Sequence, residues 1–542
     1  MVQGKSFRRS FRFAVGFLAI LAWAPFAFAP GVGMAIPLAK IAQQADLIIK
    51  AAAISSAPVS DDWFQNYPGF GVYSTRMRVI SVVKGSLGSG QIEFHHYGID
   101  RQSRMVSMAM PQLYEFEPGR SYIVFAGSTN QDGVLRQLWK NSTVKSDQGV
   151  YLAADETPVG DKEAKDVLNT EFCGMLASSK PKDVLYAIRQ LDEMSNPAGR
   201  LIKLSDFDRN QALQVISPLL TNPDEQVAGS AIQAIGGSNP YFKDENAIFW
   251  LAKAGGRPLP GIGAWESDQN QGAHQYLNQL VEIADGTGSI DLRVMAIRAL
   301  GRSGQENELN AAVRWAHAPE PRIRAAGTIL LADFRGKTVN DLLVASANDP
   351  DYQVRKAAAR AIGFGQLADV LPVLGKALHD ENKDVRSAAA LSLVSFHPAQ
   401  SADILSANIN DADYKSVFVN VLAAENAEPY LDALREIIER KLQPPFWSGT
   451  IPYADSWNIL MKYLQTQRPE ILQSSRFARQ FDALEKAQIF SSSQPRDLYD
   501  FYLKNGMKER AANFREYVRR TAPFDVEQFF KQVDIKYGIS KH

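Results

Sequence analysis

The chain has 542 residues, too many for one hydrophobic core, so we expect roughly two to four domains. Hydrophobic residues make up 45% and charged residues 22% of the sequence, as in ordinary globular proteins, and 59 basic residues balance 59 acidic ones. The sequence therefore lacks the basic excess that neutralises phosphates, and we exclude nucleic acid as a partner.

The N-terminal segment has the pattern of a secretory signal. Several basic residues precede the apolar run FAVGFLAILAWAPFAFA at residues 13–29, which predicts a signal peptide over residues 1–35. Cleavage after Ala29 would place Pro30 first, whereas cleavage after Ala35 has no such fault. Retention as an anchor stays open, because the run barely reaches the length of a span. We expect a secreted or periplasmic protein with no stable membrane span after cleavage.

Cysteine and histidine form no recognisable catalytic or metal-binding motif. Cys173 is the only cysteine, so it has no disulfide partner within the chain, and we interpret it as a small buried side chain. His95 and His96 are adjacent on a predicted strand and point to opposite faces, which disfavours a shared metal site. HExxH, CxxC, GxSxG and P-loop patterns do not occur. We predict no catalytic, cofactor-binding or metal-binding residue, and no enzyme.

Residues 36–157 have the alternation and β-branched content of strands. The candidate strands are ADLIIKAAAI (45–54), YSTRMRVISVVKG (73–85), QIEFHHYG (91–98), RSYIVFAG (120–127) and VLRQLW (134–139). The glycines of KGSLGSG, residues 84–90, suit a hairpin turn, since no helix follows that would make a phosphate site. We predict a β-rich module here, followed by a helical connector over 158–199.

The order of these strands and of the intervening KGSLGSG and FEPGR turns resembles the N-terminal part of netrin-like modules, which are related to tissue inhibitors of metalloproteinases. This resemblance implies an OB-type barrel. Those inhibitors use an N-terminal cysteine and disulfides, both absent here. A protease-inhibitor-like role is therefore kept only as an alternative.

Residues 200–425 show helical periodicity with an internal repeat. The segments IDLRVMAIRALG, PRIRAAGTILLA, YQVRKAAARAIG and KDVRSAAALSLV place an arginine every 31 residues, at Arg293, Arg324, Arg355 and Arg386. A catalytic residue has no reason to recur at a fixed interval, whereas a packing position in stacked two-helix repeats must. We therefore interpret these arginines as a structural ladder.

The turns before these helices supply the acids of the ladder. Asp349 and Asp380 each lie six residues before an arginine and can bond turn amides or meet an arginine of their own or the adjacent repeat. Arg293 and Arg324 have no such acid, and Asp291 and Glu320 are the candidate substitutes. The turn aspartate, the Val-Arg pair and the alanine-rich second helix resemble short HEAT repeats of the kind seen in phycocyanobilin-lyase-like proteins.

This resemblance implies an α-solenoid whose second helices line one surface. The residues predicted to point outward there are Val294, Arg298, Lys356 and Arg360. A Gly- and Pro-rich insertion at 256–272 interrupts the repeats and contains Trp265, which is either an exposed anchor or a cap over an apolar edge. Arg298, Lys356, Arg360 and Trp265 are our candidate partner-binding residues.

Residues 426–542 continue as helices without the 31-residue pattern and are expected to cap the repeats. The fold class is therefore α+β multidomain: a β-rich, OB-like module, a HEAT-like solenoid and a helical C-terminal region. The favoured function is an exported non-catalytic scaffold that binds a protein. The alternatives are a lyase-like use of the repeats and an inhibitor-like use of the β module.

Overall fold

The computed structural model describes residues 36–67, 69–99, 113–127, 134–139, 148–160, 162–195, 208–236, 275–300, 306–444, 452–467, 472, 474–486, 494–521 and 526–539. The chain forms two compact units, residues 1–237 and 238–542. Within the described ranges, no helix combines the length and apolar character needed to cross a membrane. The predicted domain boundaries are finer than this division and stay predictions.

The first unit combines a β-sheet with helices. Its elements are α1 (Leu38–Gln44), β1 (Leu47–Pro58), β2 (Phe70–Lys84), β3 (Gln91–Ile99), β4 (Ser121–Gly127), β5 (Leu135–Gln137), β6 (Val150–Leu152), α2 (Ala164–Met175), α3 (Pro181–Ser195), α4 (Arg209–Ile216) and α5 (Glu225–Gly236). The five predicted strands are present as β1 to β5, and the KGSLGSG segment joins the antiparallel pair β2 and β3 as a hairpin. The short strand β6 was not predicted.

The strand pairing almost closes on itself. Strand β1 pairs antiparallel with both β2 and β4, while β5 lies between β3 and β4. This order agrees with a five-stranded, partly open barrel of OB type. The β3–β5 contact is only two residue pairs long, Phe94 with Leu135 and His95 with Arg136. The sheet is therefore not a clear barrel, and the netrin-like resemblance stays a prediction.

His96 points into the interior of this sheet. It stacks on Phe94 and packs edge-on against Phe116, and only 2% of its surface is exposed. One ring nitrogen lies 2.7 Å from Thr75 Oγ1 and the other 3.0 Å from the carbonyl of Tyr97. Burial lowers the pKa of His96 to about 4, so the ring is neutral at pH 7.

His95 lies on the other face of β3, as the alternation of a strand requires. Its Nδ1 is 2.7 Å from Asp61 Oδ2, and the Arg136 side chain donates to both oxygens of the same carboxylate. Burial opposes ionisation of Asp61, but its bonds to Arg136 and His95 outweigh this and keep the pKa of its carboxyl group below the ordinary value. This cluster fastens the loop after β1 to β3 and β5.

Two ion pairs fasten helices to the sheet within the first unit. Lys50 Nζ on β1 lies 2.6 Å from Glu171 of α2, 2.8 Å from the carbonyl of Thr157 and 3.4 Å from Asp155. Three acceptors thus surround the three donors of a buried ammonium group. The guanidinium of Arg120 binds both oxygens of Asp183 on α3, at 2.7 and 3.0 Å. The connector helices α2 and α3 are therefore integral to this unit.

The second unit is helical. Its helices are α6 (Leu277–Asp285), α7 (Ile290–Ala299), α8 (Glu306–Ala316), α9 (Pro321–Leu330), α10 (Lys337–Ser346), α11 (Tyr352–Gly365), α12 (Leu371–Ala377), α13 (Lys383–Ser395), α14 (Pro398–Ala407), α15 (Lys415–Glu425), α16 (Leu431–Arg440), α17 (Pro452–Thr466), α18 (Ser475–Lys486), α19 (Gln494–Lys504), α20 (Lys508–Thr521) and α21 (Glu527–Lys536). From α6 to α15 they form antiparallel pairs. The second helices α7, α9, α11 and α13 pack directly on one another in sequence order. This is the predicted solenoid.

Side-chain caps and small residues define the second helices. Asp351 caps α11 by accepting a bond from the amide of Gln353, and Asn382 caps α13 in the same way. Gly363 of α11 is in close contact with α13: a Cβ atom on it would lie 2.6 Å from the Cβ of Ser392. Glycine at this position therefore permits an approach that alanine would prevent.

The helices beyond α15 share a core of their own, as expected for a helical C-terminal region. Its buried aromatic and aliphatic residues include Trp457, Phe477, Phe501 and Phe530. Arg515 of α20 donates to Asp534 at 2.7 Å and lies over the Phe530 ring at 5.6 Å. This ion pair links α20 to α21 beside the aromatic core.

The neutral state of His96 predicts acid sensitivity in the β-sheet. Its pKa is about 4 in the fold and 6.5 in a model compound, so the stabilisation is fully present above pH 6.5 and is lost as the pH falls toward 4. The loss is about 1.4 kcal/mol per pH unit in that window. Hydrogen exchange of peptides from β2 and β3, corrected for intrinsic rates, should show this loss.

The variant His96→Gln should remove most of this pH dependence. His379→Gln, which changes an exposed histidine of the second unit, should retain it. A wild-type protein whose β2 and β3 protection stays constant from pH 7 to pH 4 would contradict the assignment.

Candidate functional site

The arginine ladder joins successive repeats of the second unit. Arg324 of α9 binds both oxygens of Asp349 in the next repeat, at 2.9 and 3.0 Å. Arg355 of α11 binds both oxygens of Asp380, again in the next repeat, at 2.8 and 3.0 Å. Each acid lies 25 residues after its arginine. Of the two alternatives from the sequence, the structure has the adjacent-repeat pairing.

Each arginine also holds its own turn. Arg355 Nη1 donates to the carbonyls of Asp349 and Pro350 at 3.0 Å, and Nη2 makes a further bond to Glu381. With the two bonds to Asp380, this gives five hydrogen bonds, equal to the number of donors on a guanidinium. Arg355 therefore has no donor left for a substrate.

The acids of the ladder are held in their charged form. Burial opposes ionisation of Asp349 and Asp380, but hydrogen bonds from the guanidinium and from a turn amide outweigh it. The pKa of both carboxyl groups is consequently below the ordinary value. An ionised acid clamped by arginine is poorly suited to give or take a proton in catalysis.

The ladder changes at both ends. Arg386 donates to the carbonyls of Asp380 and Glu381 in its own turn. Arg293 donates to the carbonyl of Ala284. The next 31-residue step after Arg386 falls on Val417, so the arginine is not repeated; nearby, Lys415 binds Glu436 of α16 at 2.5 Å.

The proposed substitutes for the missing acids do not pair with the ladder arginines in the described contacts. Asp291 pairs with Arg322, and Glu320 caps the amide of the same residue. The acid of Arg324 is Asp349, as described above. The expectation was wrong because it placed the acid before its arginine in the sequence, whereas the acid that pairs with Arg324 comes after it.

A second set of hydrogen bonds between successive repeats was not predicted from the sequence. At the C-terminal ends of the second helices, Arg335 donates to the carbonyl of Gly365 at 2.5 Å, and Gln366 donates to Ser395 Oγ at 3.1 Å. Arg335 and Gln366 are themselves 31 residues apart. The repeat spacing could have revealed them, but their different side chains concealed the pattern.

The predicted surface residues lie on α7 and α11. Arg298 is exposed, and Lys356 and Arg360 are half-exposed; we call these three residues the basic surface. Although Arg298 is exposed as a whole residue, its guanidinium is partly shielded, and this burial, followed by the charge of Arg322, lowers the pKa of Arg298. Arg360 lies over the Phe364 ring at 5.6 Å. The three cations thus belong to second helices, one to α7 and two to α11.

Two features of the predicted surface need correction or stay open. Val294 is buried, with 3% exposure, because it faces the core between helices and not the outer surface. The position between Arg298 and Arg360 in the repeat register is Ile329, also buried, so the cations are not continuous from repeat to repeat. Trp265 and the 256–272 insertion lie outside the described residues.

The described residues include the potential metal ligands and the cysteine thiol that the sequence predictions concern. No cluster of three or more histidine, cysteine or acidic side chains that could hold a metal ion occurs there. Cys173 is half-buried on α2, and burial raises the pKa of its thiol, which disfavours a nucleophilic thiolate.

A stack of helix pairs with a recurring Arg-Asp link defines an α-solenoid repeat protein. The family model for HEAT repeats matches residues 277–362 and 339–424. This part of the chain therefore consists of HEAT repeats, and the prediction from the sequence is confirmed.

Several solved structures resemble the chain. YibA of E. coli has a TM-score of 0.32 at 13% identity and covers 56% of this chain and 98% of its own. A designed armadillo repeat protein in complex with the peptide (KR)4 has a TM-score of 0.28 at 19% identity, with 42% and 99% covered. Importin beta has a TM-score of 0.39 at 14% identity, with 70% and 55% covered. No curated protein matches the sequence significantly.

The ladder makes a testable prediction about stability. Arg355→Ala removes five hydrogen bonds and leaves the largely shielded Asp380 carboxylate without its guanidinium. We expect a loss on the order of 1–3 kcal/mol. Hydrogen exchange should accelerate in the turns at 347–351 and 378–382, and calorimetry should show a lower melting temperature for the second unit.

One further variant tests whether the two-pronged hydrogen bond of Arg355 matters in addition to its positive charge, and another serves as a control. Arg355→Lys keeps the charge but loses the two-pronged geometry, so we expect most of the destabilisation to remain. Lys356→Ala changes the neighbouring residue and should leave both turns protected. Unchanged exchange in Arg355→Ala would show that the ladder does not stabilise the repeats.

Proposed function

We propose that the protein is an exported, non-catalytic scaffold that binds an acidic segment of a partner protein on the basic surface. HEAT repeats support a binding role in general, because stacked helix pairs present extended surfaces. The observation that carries the proposal is the placement of Arg298, Lys356 and Arg360 on α7 and α11. Arg298 is exposed and Lys356 and Arg360 are half-exposed, so part of each side chain is accessible to a partner.

The positive charge of the basic surface indicates what kind of partner would bind there. The three cations lie on two second helices that are two repeats apart, with Ala325 and Ile329 at the corresponding positions of the helix between them. Ile329 is buried and Ala325 is half-buried, so a partner that crosses these helices meets cations on α7 and α11 with no charged side chain at these positions between them. An extended segment with acidic residues at two separated positions fits this arrangement.

The two alternative functions gain no support from the described contacts. A lyase-like use of the repeats would need acid and base groups free to exchange protons, yet Asp349 and Asp380 are ion-paired. An inhibitor-like use of the β module would be favoured by a free N-terminal residue beside the sheet. Both the amide and the carbonyl of Ile36 are instead hydrogen-bonded to Gln148.

The experiment is capture of partners from envelope extract with the parent protein and with Arg298→Glu/Lys356→Glu/Arg360→Glu. The melting temperature of the variant is measured alongside, and retention is compared under conditions where all proteins are folded, because Lys356 and Arg360 are half-exposed and their loss changes stability as well as charge. A directly bound acidic partner should be retained at least tenfold less well. The difference should shrink at high salt, because screening weakens the parent's attraction.

A matched control reverses three other exposed lysines of the second unit, Lys337→Glu/Lys376→Glu/Lys462→Glu. It changes the net charge by the same amount but leaves the basic surface intact, so it should retain the partner. Equal loss in both variants would indicate a general charge effect. A partner held equally by all three proteins would exclude the basic surface as its site.

A further inference from the structure

We propose that Arg386, the last arginine of the ladder, is a binding site for a single carboxylate group from outside the repeats. Such a group would be an acidic side chain or the C-terminal carboxylate of a partner protein. Arg386 lies in the first turn of α13 and is not part of the basic surface. The site therefore goes beyond the function proposed above and does not rest on it.

Arg386 is held by its own turn in the same way as the two arginines before it. Its Nη1 donates to the carbonyls of Asp380 and Glu381 at 2.9 and 3.1 Å. Arg355 Nη1 donates to two carbonyls of its own turn at 3.0 Å, and Arg324 Nη1 does so at 2.9 and 2.8 Å. These bonds occupy one side of each planar guanidinium and leave the edge formed by Nε and Nη2 for another acceptor.

The Nε–Nη2 edge binds a carboxylate in both preceding repeats. In Arg324 it donates to the two oxygens of Asp349 at 2.9 and 3.0 Å. In Arg355 it donates to the two oxygens of Asp380 at 2.8 and 3.0 Å. For Arg386, the hydrogen bonds of the described residues include no acceptor for Nε or Nη2. The protein itself thus shows which chemical group this edge recognises when the guanidinium is held in its turn.

The acid expected at the Nε–Nη2 edge of Arg386 is Asp411, and it is used differently. It lies 25 residues after Arg386, the same spacing as in the two preceding pairs. Its Oδ1 accepts from two turn amides, those of Asp413 and Tyr414, at 2.9 and 3.2 Å. In Asp380, by contrast, Oδ1 accepts from one turn amide at 2.8 Å together with the arginine of the preceding repeat.

Tyr414 explains why Asp411 does not pair with Arg386. In the repeat register it corresponds to Tyr352, which begins α11 and is 38% exposed. Tyr414 is only 1% exposed, and its hydroxyl lies 3.4 Å from Oγ of Ser387, the residue after Arg386. Helix α15 begins only after Tyr414, and α13 packs much less closely on α15 than on α11. The buried tyrosine thus changes the turn and the helix contact at which the next pair of the ladder would form.

The charges around Arg386 favour a ligand with one carboxylate. Both side-chain oxygens of Asp380 are bound by Arg355, so Asp380 gives Arg386 only its backbone carbonyl. Arg386 is half-exposed, and a carboxylate that approaches from solvent can accept two charge-assisted hydrogen bonds from its Nε–Nη2 edge. Asp411 and Asp413 in the adjacent turn are negative, so a ligand with several carboxylates would be repelled.

The test is NMR spectroscopy of the purified protein, isotope-labelled in its arginine side chains, with acetate as the probe. Acetate should move the Nε–H signal of Arg386, because a carboxylate acceptor deshields this proton. The signals of Arg324 and Arg355 should stay in place, since their Nε–Nη2 edges already bind Asp349 and Asp380. Each signal is assigned by its loss in the corresponding arginine to lysine variant, and chloride at the same ionic strength is the control.

Arg76 of β2 is the matched control within the same protein. It is exposed, and the hydrogen bonds of the described residues include none that holds its guanidinium. Half of the Arg386 shift should occur at an acetate concentration roughly fivefold lower than for Arg76, because the Arg386 edge is held in place before binding. Equal concentrations would show that Arg386 is an ordinary exposed arginine and would overturn the proposal.

The variant Asp411→Asn tests whether Asp411 occupies the Nε–Nη2 edge in solution. Asparagine can still accept from the turn amides but has no carboxylate, so we expect the Arg386 signal of the acetate-free protein to be unchanged. A parent signal that ignores acetate and moves in Asp411→Asn would mean that Asp411 fills the edge, and the proposal would be wrong. With the site established, N-acetylglycine and glutamate blocked at both backbone ends distinguish a C-terminal from a side-chain carboxylate by which binds at the lower concentration.

Discussion

The fork between an arginine and the aspartate of the next repeat is the interaction on which the helical unit depends. Arg355 binds its own turn through Asp349 and Pro350 and the next turn through Asp380. Both turns would otherwise carry unsatisfied carbonyls and a partly buried carboxylate. One side chain thus fixes the spacing of two consecutive helix pairs. The apolar contacts between second helices, including the approach at Gly363, then occur in one register.

Much of this could be predicted from the sequence, because repetition shows directly in the spacing of residues. The 31-residue interval identified the repeats and their arginines, and alternation identified five strands. The sequence could not predict whether each arginine pairs with the aspartate of its own repeat or with that of the next one. An acid six residues before one arginine is equally 25 residues after another. The outward orientation of Val294 was wrong because a position near the face boundary turns inward when neighbouring helices pack closely.

Contacts between distant residues of unlike chemistry were beyond the sequence. The parallel pairing of β3 with β5 spans two residues, too few to leave a pattern. His96 could be assigned to a face of its strand, but its neutral state depends on burial among aromatic residues of its own strand and of two other segments. The contact between Ile36 and Gln148 joins the segment before α1 to a loop glutamine that no motif marks. The fold class and the repeat family could therefore be predicted from the sequence, whereas most contacts at the candidate sites are visible only in the structure.

Each fork connects a repeat only to the next one, and this has a mechanical consequence. A force applied along the second unit acts on consecutive links of similar geometry, Arg324 with Asp349 and then Arg355 with Asp380. Because the coupling is between nearest neighbours, separation of one pair does not by itself release the others. Under such a force the repeats should then separate one at a time. Each pair of repeats should re-form when its guanidinium and carboxylate pair again.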